Sequence, residues 1–138
     1  MKRHIGITAG LLTLIAAVTV TAGPRAAQAE TGWARCSRGS FCAFTGLDGT
    51  GAMATYTRGD FNLGDTTGPT GMNNNIESVW NRMVRAGFGA FNLYGQVSCE
   101  GARLHIADEP DQSGRRNLPR DWRNRTSSLL VFTDVQGC

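Results

Sequence analysis

The chain has 138 residues, with 14 Lys and Arg against 11 Asp and Glu. Apolar residues make up 41% and charged residues only 18%, which excludes intrinsic disorder. Three of the cations (Lys2, Arg3 and Arg25) lie within the first 29 residues. The remainder is therefore charge-balanced and argues for neither nucleic acid nor an anionic membrane as partner.

Residues 1–29 read as a secretory signal peptide. Lys2, Arg3 and His4 form a basic start, an apolar run follows from Ile5 to about Ala22, and Ala27-Gln28-Ala29 supplies a small-x-small cleavage pattern. The run is short for a membrane span and no stop-transfer pattern follows it. Residues 30–138 are then expected to form one extracellular domain, free of the membrane once the leader is removed. His105 is the only histidine beyond the leader, which argues against His-based zinc sites and two-His mechanisms. Glycine is about twice as frequent there as in ordinary proteins, which opposes long helices. The class left is a small all-β domain.

Cys36, Cys42, Cys99 and Cys138 make an even set behind an export signal, which reads as two disulfides. Three connectivities are open, and Cys36–Cys42 with Cys99–Cys138 is favoured. The first pair spans Ser37-Arg38-Gly39-Ser40, which turns readily, and the second ties the last residue back to the body. The spacing matches no common zinc pattern.

The chain resembles itself at an offset of fifty residues. Phe41 falls on Phe91, Phe44 on Tyr94, and Gly51-Ala52 on Gly101-Ala102. Asn74 falls on Asn124 and Ser78 on Ser128. So many ordered landmarks point to a duplicated unit, with halves of about 36–85 and 86–138. Each half opens on an aromatic strand (41–44, 91–94), turns at glycine, and continues in a second strand (53–56, 103–106). A polar loop follows (57–75, 107–125), and then an Asn-x-x-x-Ser element enters a last strand (78–82, 128–133). Four short strands with one long crossing loop is Greek-key grammar. Ile76, Val79, Trp80, Met83 and Val84 have helical spacing, but the matching run 126–132 does not, so strand is expected in both halves.

The Asn-x-x-x-Ser elements, Asn73-Asn74-Asn75-Ile76-Glu77-Ser78 and Arg123-Asn124-Arg125-Thr126-Ser127-Ser128, resemble the βγ-crystallin motif. The opening Cys36-Ser37-Arg38-Gly39-Ser40-Phe41-Cys42-Ala43-Phe44, with Ser78-Val79-Trp80-Asn81, resembles the secreted proteins grouped with the Streptomyces metalloproteinase inhibitor. The likeness covers about residues 36–138. It implies an all-β, βγ-crystallin-like double Greek-key sandwich with two disulfides. It also implies a non-enzymatic, monomeric inhibitor whose partner is an extracellular peptidase, of the metallopeptidase class. Val97, Ser98, Cys99 and Glu100 look like the start of the family's inhibitory loop. Two departures stand out: Glu100 follows Cys99, where thermolysin-like enzymes favour a bulky apolar group, and no second cysteine closes a small loop.

Such inhibition needs a preformed convex segment, which loses little entropy on binding. The Cys99 loop and the long loop Asp108–Asp121 are the candidates. Asn73, Asn74, Glu77 and Ser78 offer hard oxygens and form a candidate calcium site, although no cofactor is required. The same asparagines also suit plain turn chemistry. Arg123 and Arg125 make the second copy a poorer cation site. Arg115, Arg116, Arg120, Arg123 and Arg125 read as a solvated run balanced by neighbouring acids. Trp33, Trp80 and Trp122 read as packing residues. His105 has no nucleophile or acid assignable as a partner, and no enzyme signature is present. The rival readings are a calcium-binding βγ-crystallin-type structural or stress module and a small secreted antimicrobial protein, since fold does not fix function.

Overall fold

Alternation decides the architecture. In Phe41–Phe44 the side chains of Phe41 and Ala43 face one apolar cluster, while Cys42 and Phe44 face another, so all four residues are buried. A segment that buries both faces at a period of two is a strand inside a covered sheet. The computed structural model describes residues 32–83, 89–107 and 114–131, and seven strands lie among them. They are β1 (Phe41–Phe44), β2 (Met53–Tyr56), β3 (Ser78–Asn81), β4 (Phe91–Tyr94), β5 (Arg103–Ile106), β6 (Arg115–Asn117) and β7 (Ser128–Val131). The leader and Cys138 lie outside the described residues.

The strands form two antiparallel sheets, ordered β2-β1-β3-β6 and β5-β4-β7. The main core lies between them and includes Phe41, Ile76, Val79, Phe91, Leu93, Ile106 and Leu129. The outer face of the first sheet is also covered. There the Gly32–Arg35 turn lays Trp33 edge-on against Phe44 and Trp80, beside the Cys36–Cys42 disulfide. Arg82 and Arg115 stack on Trp80 at 4.3 and 4.9 Å. Trp33 and Trp80 are packing residues, and Trp122 is half-buried against the main core.

The Cys36–Cys42 bond matches the favoured pairing. Among the described residues no cysteine is free, and Cys138, the expected mate of Cys99, lies beyond them.

The two repeats exchange segments. β6 belongs to the second half by sequence but pairs with β3 of the first, with Val79 opposite Arg116. In return, Asp60 of the first half pairs with Leu129 of the second, through N–H···O bonds of 2.7 and 2.8 Å. The region 107–125 is therefore not wholly the loop expected. Arg115-Arg116-Asn117 has no β-forming composition, but the open edge of β3 recruits it, an override of local preference by pairing. The fifty-residue register holds at Phe41/Phe91, Gly51/Gly101, Asn74/Asn124 and Ser78/Ser128. It breaks in the exchanged segments, where Leu63 N donates to Ser127 O and Leu118 N donates to Glu77 O.

Strand is the outcome at 78–81, despite the helical spacing from Ile76 to Met83. Val79 faces the main core and Trp80 the outer cluster, so neighbours point to opposite faces.

Candidate functional site

The second half carries a turn between β4 and β5 that contains the candidate loop Val97, Ser98, Cys99 and Glu100. Gly95 N bonds Ala102 O at 3.0 Å, Gln96 N bonds Glu100 O at 3.1 Å, and Glu100 N bonds Val97 O at 3.3 Å. Ser98 and Cys99 both adopt left-handed backbone, at φ 54° and 61°. L-residues occupy that region reluctantly, so the surroundings must hold them there.

Two contacts do so. Cys99 N donates to Ser128 Oγ at 3.1 Å, and Ser128 Oγ donates to Gln96 O at 2.6 Å. Ser98 N donates to Phe61 O at 2.7 Å, from the segment that the first half lends to the second. Ser128 is fully buried, so its hydroxyl clamps the loop from below. Val97 is left outside at 45% exposure, and Ser98 and Glu100 are also exposed.

The first half repeats this clamp with a different covering. Gly49 N donates to Ser78 Oγ at 3.1 Å, and Ser78 Oγ donates to Gly46 O at 2.6 Å. There, however, Asp48 and Asn117 bind each other twice, and Trp33 lies over Gly49. Leu47, the mate of Val97, is half-buried. Of two equivalent turns, only the second presents its apolar tip to solvent.

The candidate calcium residues take hydrogen-bond partners in both motifs. Ser78 is fully buried in the clamp just described. Asn124 Nδ2 donates to Glu77 Oε1 at 3.1 Å, and Ser127 Oγ donates to Asn74 Oδ1 at 3.1 Å. Asn73 and Asn74 line a shallow cleft with Asp65 and Thr66, apart from Glu77 and Ser78. Asn74 and Asn124 are both left-handed, as the turn chemistry predicts, and each donates its N–H to the other motif, at Thr126 O and Ile76 O. Among the described residues no three His, Cys, Asp or Glu side chains are grouped to hold a metal.

His105 faces away from Ile106, and its Nδ1 lies 2.9 Å from the buried Asn92 Oδ1. The arginine run is put to structural use at three places: Arg115 on Trp80, Arg123 Nε on Leu118 O, and Arg125 on Asp121 O.

Sequence reading missed Phe61 and Asn117, because the exchange that places them has no local signature. Ser128 was visible as the mate of Ser78, but its role depends on the turn above it. Phe61 also walls a cleft with Tyr56, Arg58, Asp60, Asp65 and Thr67. Burial, and then the charge of Asp60, push the Tyr56 phenol well above its usual range. The backbone N–H and the hydroxyl of Thr67 hold the Asp65 carboxyl below its own.

Solved structures share the fold. The N-terminal domain of protein S aligns over 67% of this chain and 94% of its own, at 19% identity and TM-score 0.52. A βγ-crystallin domain from Flavobacterium johnsoniae aligns over 67% and 92%, at 22% identity and TM-score 0.52. A βγ-crystallin domain from Clostridium beijerinckii aligns over 68% and 98%, at 15% identity and TM-score 0.50. No curated protein matches the chain. The profile of peptidase inhibitor family I36 matches residues 29–106, more than half of the sequence. On a βγ-crystallin-like fold, then, the chain belongs to peptidase inhibitor family I36, the family of the Streptomyces metalloproteinase inhibitor, and is a non-enzymatic protein with a peptidase as partner.

Proposed function

We propose that this protein inhibits an extracellular metallopeptidase by inserting the Val97–Glu100 turn into the enzyme's cleft. The observation that carries this reading is the clamped turn itself. Its backbone is fixed at both ends and from below, yet Val97 stands 45% exposed. A segment already held in its bound shape gives up little conformational freedom on docking. Val97 offers an apolar contact on the near side of Cys99, not at the position Glu100 occupies. The same reading has the leader 1–29 removed on export, the mature chain acting as a monomer, and a Cys99–Cys138 disulfide tightening the turn. No cofactor enters the mechanism.

The test is an inhibition panel of purified extracellular metallo-, serine and cysteine peptidases against the mature chain. Submicromolar inhibition confined to metallopeptidases, lost in Val97→Asp, is the expected result. Inhibition of another class alone, or a Val97→Asp variant as potent as the parent, rejects it. Calorimetry with Ca²⁺ addresses the rival: micromolar binding with a marked rise in melting temperature favours a calcium-binding module.

A further inference from the structure

The Cys36–Cys42 bond is sealed from solvent. Cys36 is 1% exposed and Cys42 is fully buried. Phe44, Met53, Trp80 and Trp33 pack in one cluster with them. The first three sit on β1, β2 and β3, where strand pairing fixes them. Trp33 does not. It rides on the Gly32–Arg35 turn, which belongs to neither sheet. Of these covering side chains, it is the one that can leave without breaking a strand.

Side chains hold this turn down. Arg35 Nη2 donates to Gly49 O at 2.7 Å, and the guanidinium lies 5.4 Å from the centroid of the Phe44 ring. Trp33 meets Phe44 and Trp80 edge-on at 5.3 and 6.3 Å. The indole rests where a Cβ on Gly49 would stand. Trp33 itself stays half-buried, with its outer side in water. An element seated by side chains opens more readily than the paired strands beneath it. The chain then passes directly from Arg35 to Cys36, so the cystine pins the end of the turn to Cys42 within β1. Cover and tether are one unit.

We propose that the Gly32–Arg35 turn is a redox-coupled lid: its opening gates reduction of Cys36–Cys42, and reduction in turn releases the lid from Gly49. The chemistry is thiol–disulfide exchange with an external dithiol. One thiolate of the dithiol attacks a cystine sulfur in line with the S–S bond and expels the other as thiolate. The second sulfur of the dithiol then displaces the first cysteine. Cys36 and Cys42 end as thiols, holding the two electrons and two protons that the dithiol gives up, and the dithiol leaves as a cyclic disulfide. In-line attack needs an open path to sulfur, which the seated Trp33 closes.

The test follows reduction of the mature chain by dithiothreitol under native conditions. Alkylation and peptide mass spectrometry read Cys36 and Cys42 separately from Cys99. Trp33→Ala removes the cover and Gly49→Ala unseats it, and each is expected to speed reduction at least about tenfold. Trp33→Ala decides the matter if Gly49→Ala fails to fold. Ser128→Ala, weakened at the far turn, is expected to keep the rate of the parent. In the reduced and alkylated parent, trypsin is expected to cut after Arg35 at least about tenfold faster than in the oxidised protein. Unchanged rates in the lid variants would show that the lid does not gate the bond. Equal acceleration in Ser128→Ala would assign reduction to global unfolding and overturn the proposal. Equal resistance of Arg35 to trypsin before and after reduction would overturn the release.

Discussion

Phe41 and Phe91, mates in the two repeats, stack on each other with ring centroids 4.3 Å apart and planes 21° from parallel. Both are fully buried, so the two copies meet ring to ring in the core. Replacing either by Ala should cost about 3–5 kcal/mol in denaturant unfolding. A double-mutant cycle should return a coupling of roughly 0.5–1.5 kcal/mol. Strict additivity would show that the stacking contributes nothing beyond burial.

Ser78 and Ser128 hold equivalent turns, but only the second presents an exposed apolar tip, Val97. Each buried hydroxyl receives a backbone N–H and donates to a carbonyl, so Ser→Ala at either place should destabilise by about 1–3 kcal/mol. Ser128→Ala should in addition weaken inhibition severalfold, by loosening Cys99 and Gln96. Ser78→Ala should not. Equal potency in the two variants would separate the clamp from function.

Gly49 has φ +72°, and a Cβ there would lie 2.7 Å from Trp33 N and 2.8 Å from the indole. Gly49→Ala should therefore cost at least about 2 kcal/mol and lift Trp33 off Phe44 and Trp80. Near-ultraviolet circular dichroism and thermal melting read both effects. An unchanged Trp signal would mean that the Gly32–Arg35 turn is not seated on Gly49.

Tyr56 links stability to alkaline pH. Its phenol ionises at higher pH in the folded state than the ordinary value of 10.0, because burial and Asp60 disfavour the anion. The contribution is complete below about pH 10 and is lost as pH rises above it, since the unfolded chain then releases a proton that the folded chain retains. Melting temperature should fall from about pH 10 upward. Tyr56→Phe should flatten that fall and leave neutral-pH stability unchanged or improved, because it removes an unpaired buried hydroxyl. A parallel fall in parent and variant would rule out Tyr56 as the group responsible.

The duplicated strands were legible because Phe41 and Phe44 match Phe91 and Tyr94 at the same offset at which Asn74/Asn124 and Ser78/Ser128 keep step. The Cys36–Cys42 bond was legible from its short turn. The exchanged segments were not. Arg115-Arg116-Asn117 becomes a strand only because β3 has an edge to fill, and Asp60 meets Leu129 only because the halves interlock. The partners of the candidate calcium residues were not legible for a related reason. Glu77 and Asn74 reach across to Asn124 and Ser127 in the opposite motif, and Ser78 turns inward beneath Gly46.

The interlocking has a consequence for any enzyme that cuts the exposed turn. Hydrolysis between Cys99 and Glu100 would part β1–β4 from β5–β7. Yet β4 lies between β5 and β7, β3 is zipped to β6, and Asp60 is knotted to Leu129. The severed pieces stay woven through both sheets, so the nicked molecule keeps its shape and its new ends stay close enough to rejoin.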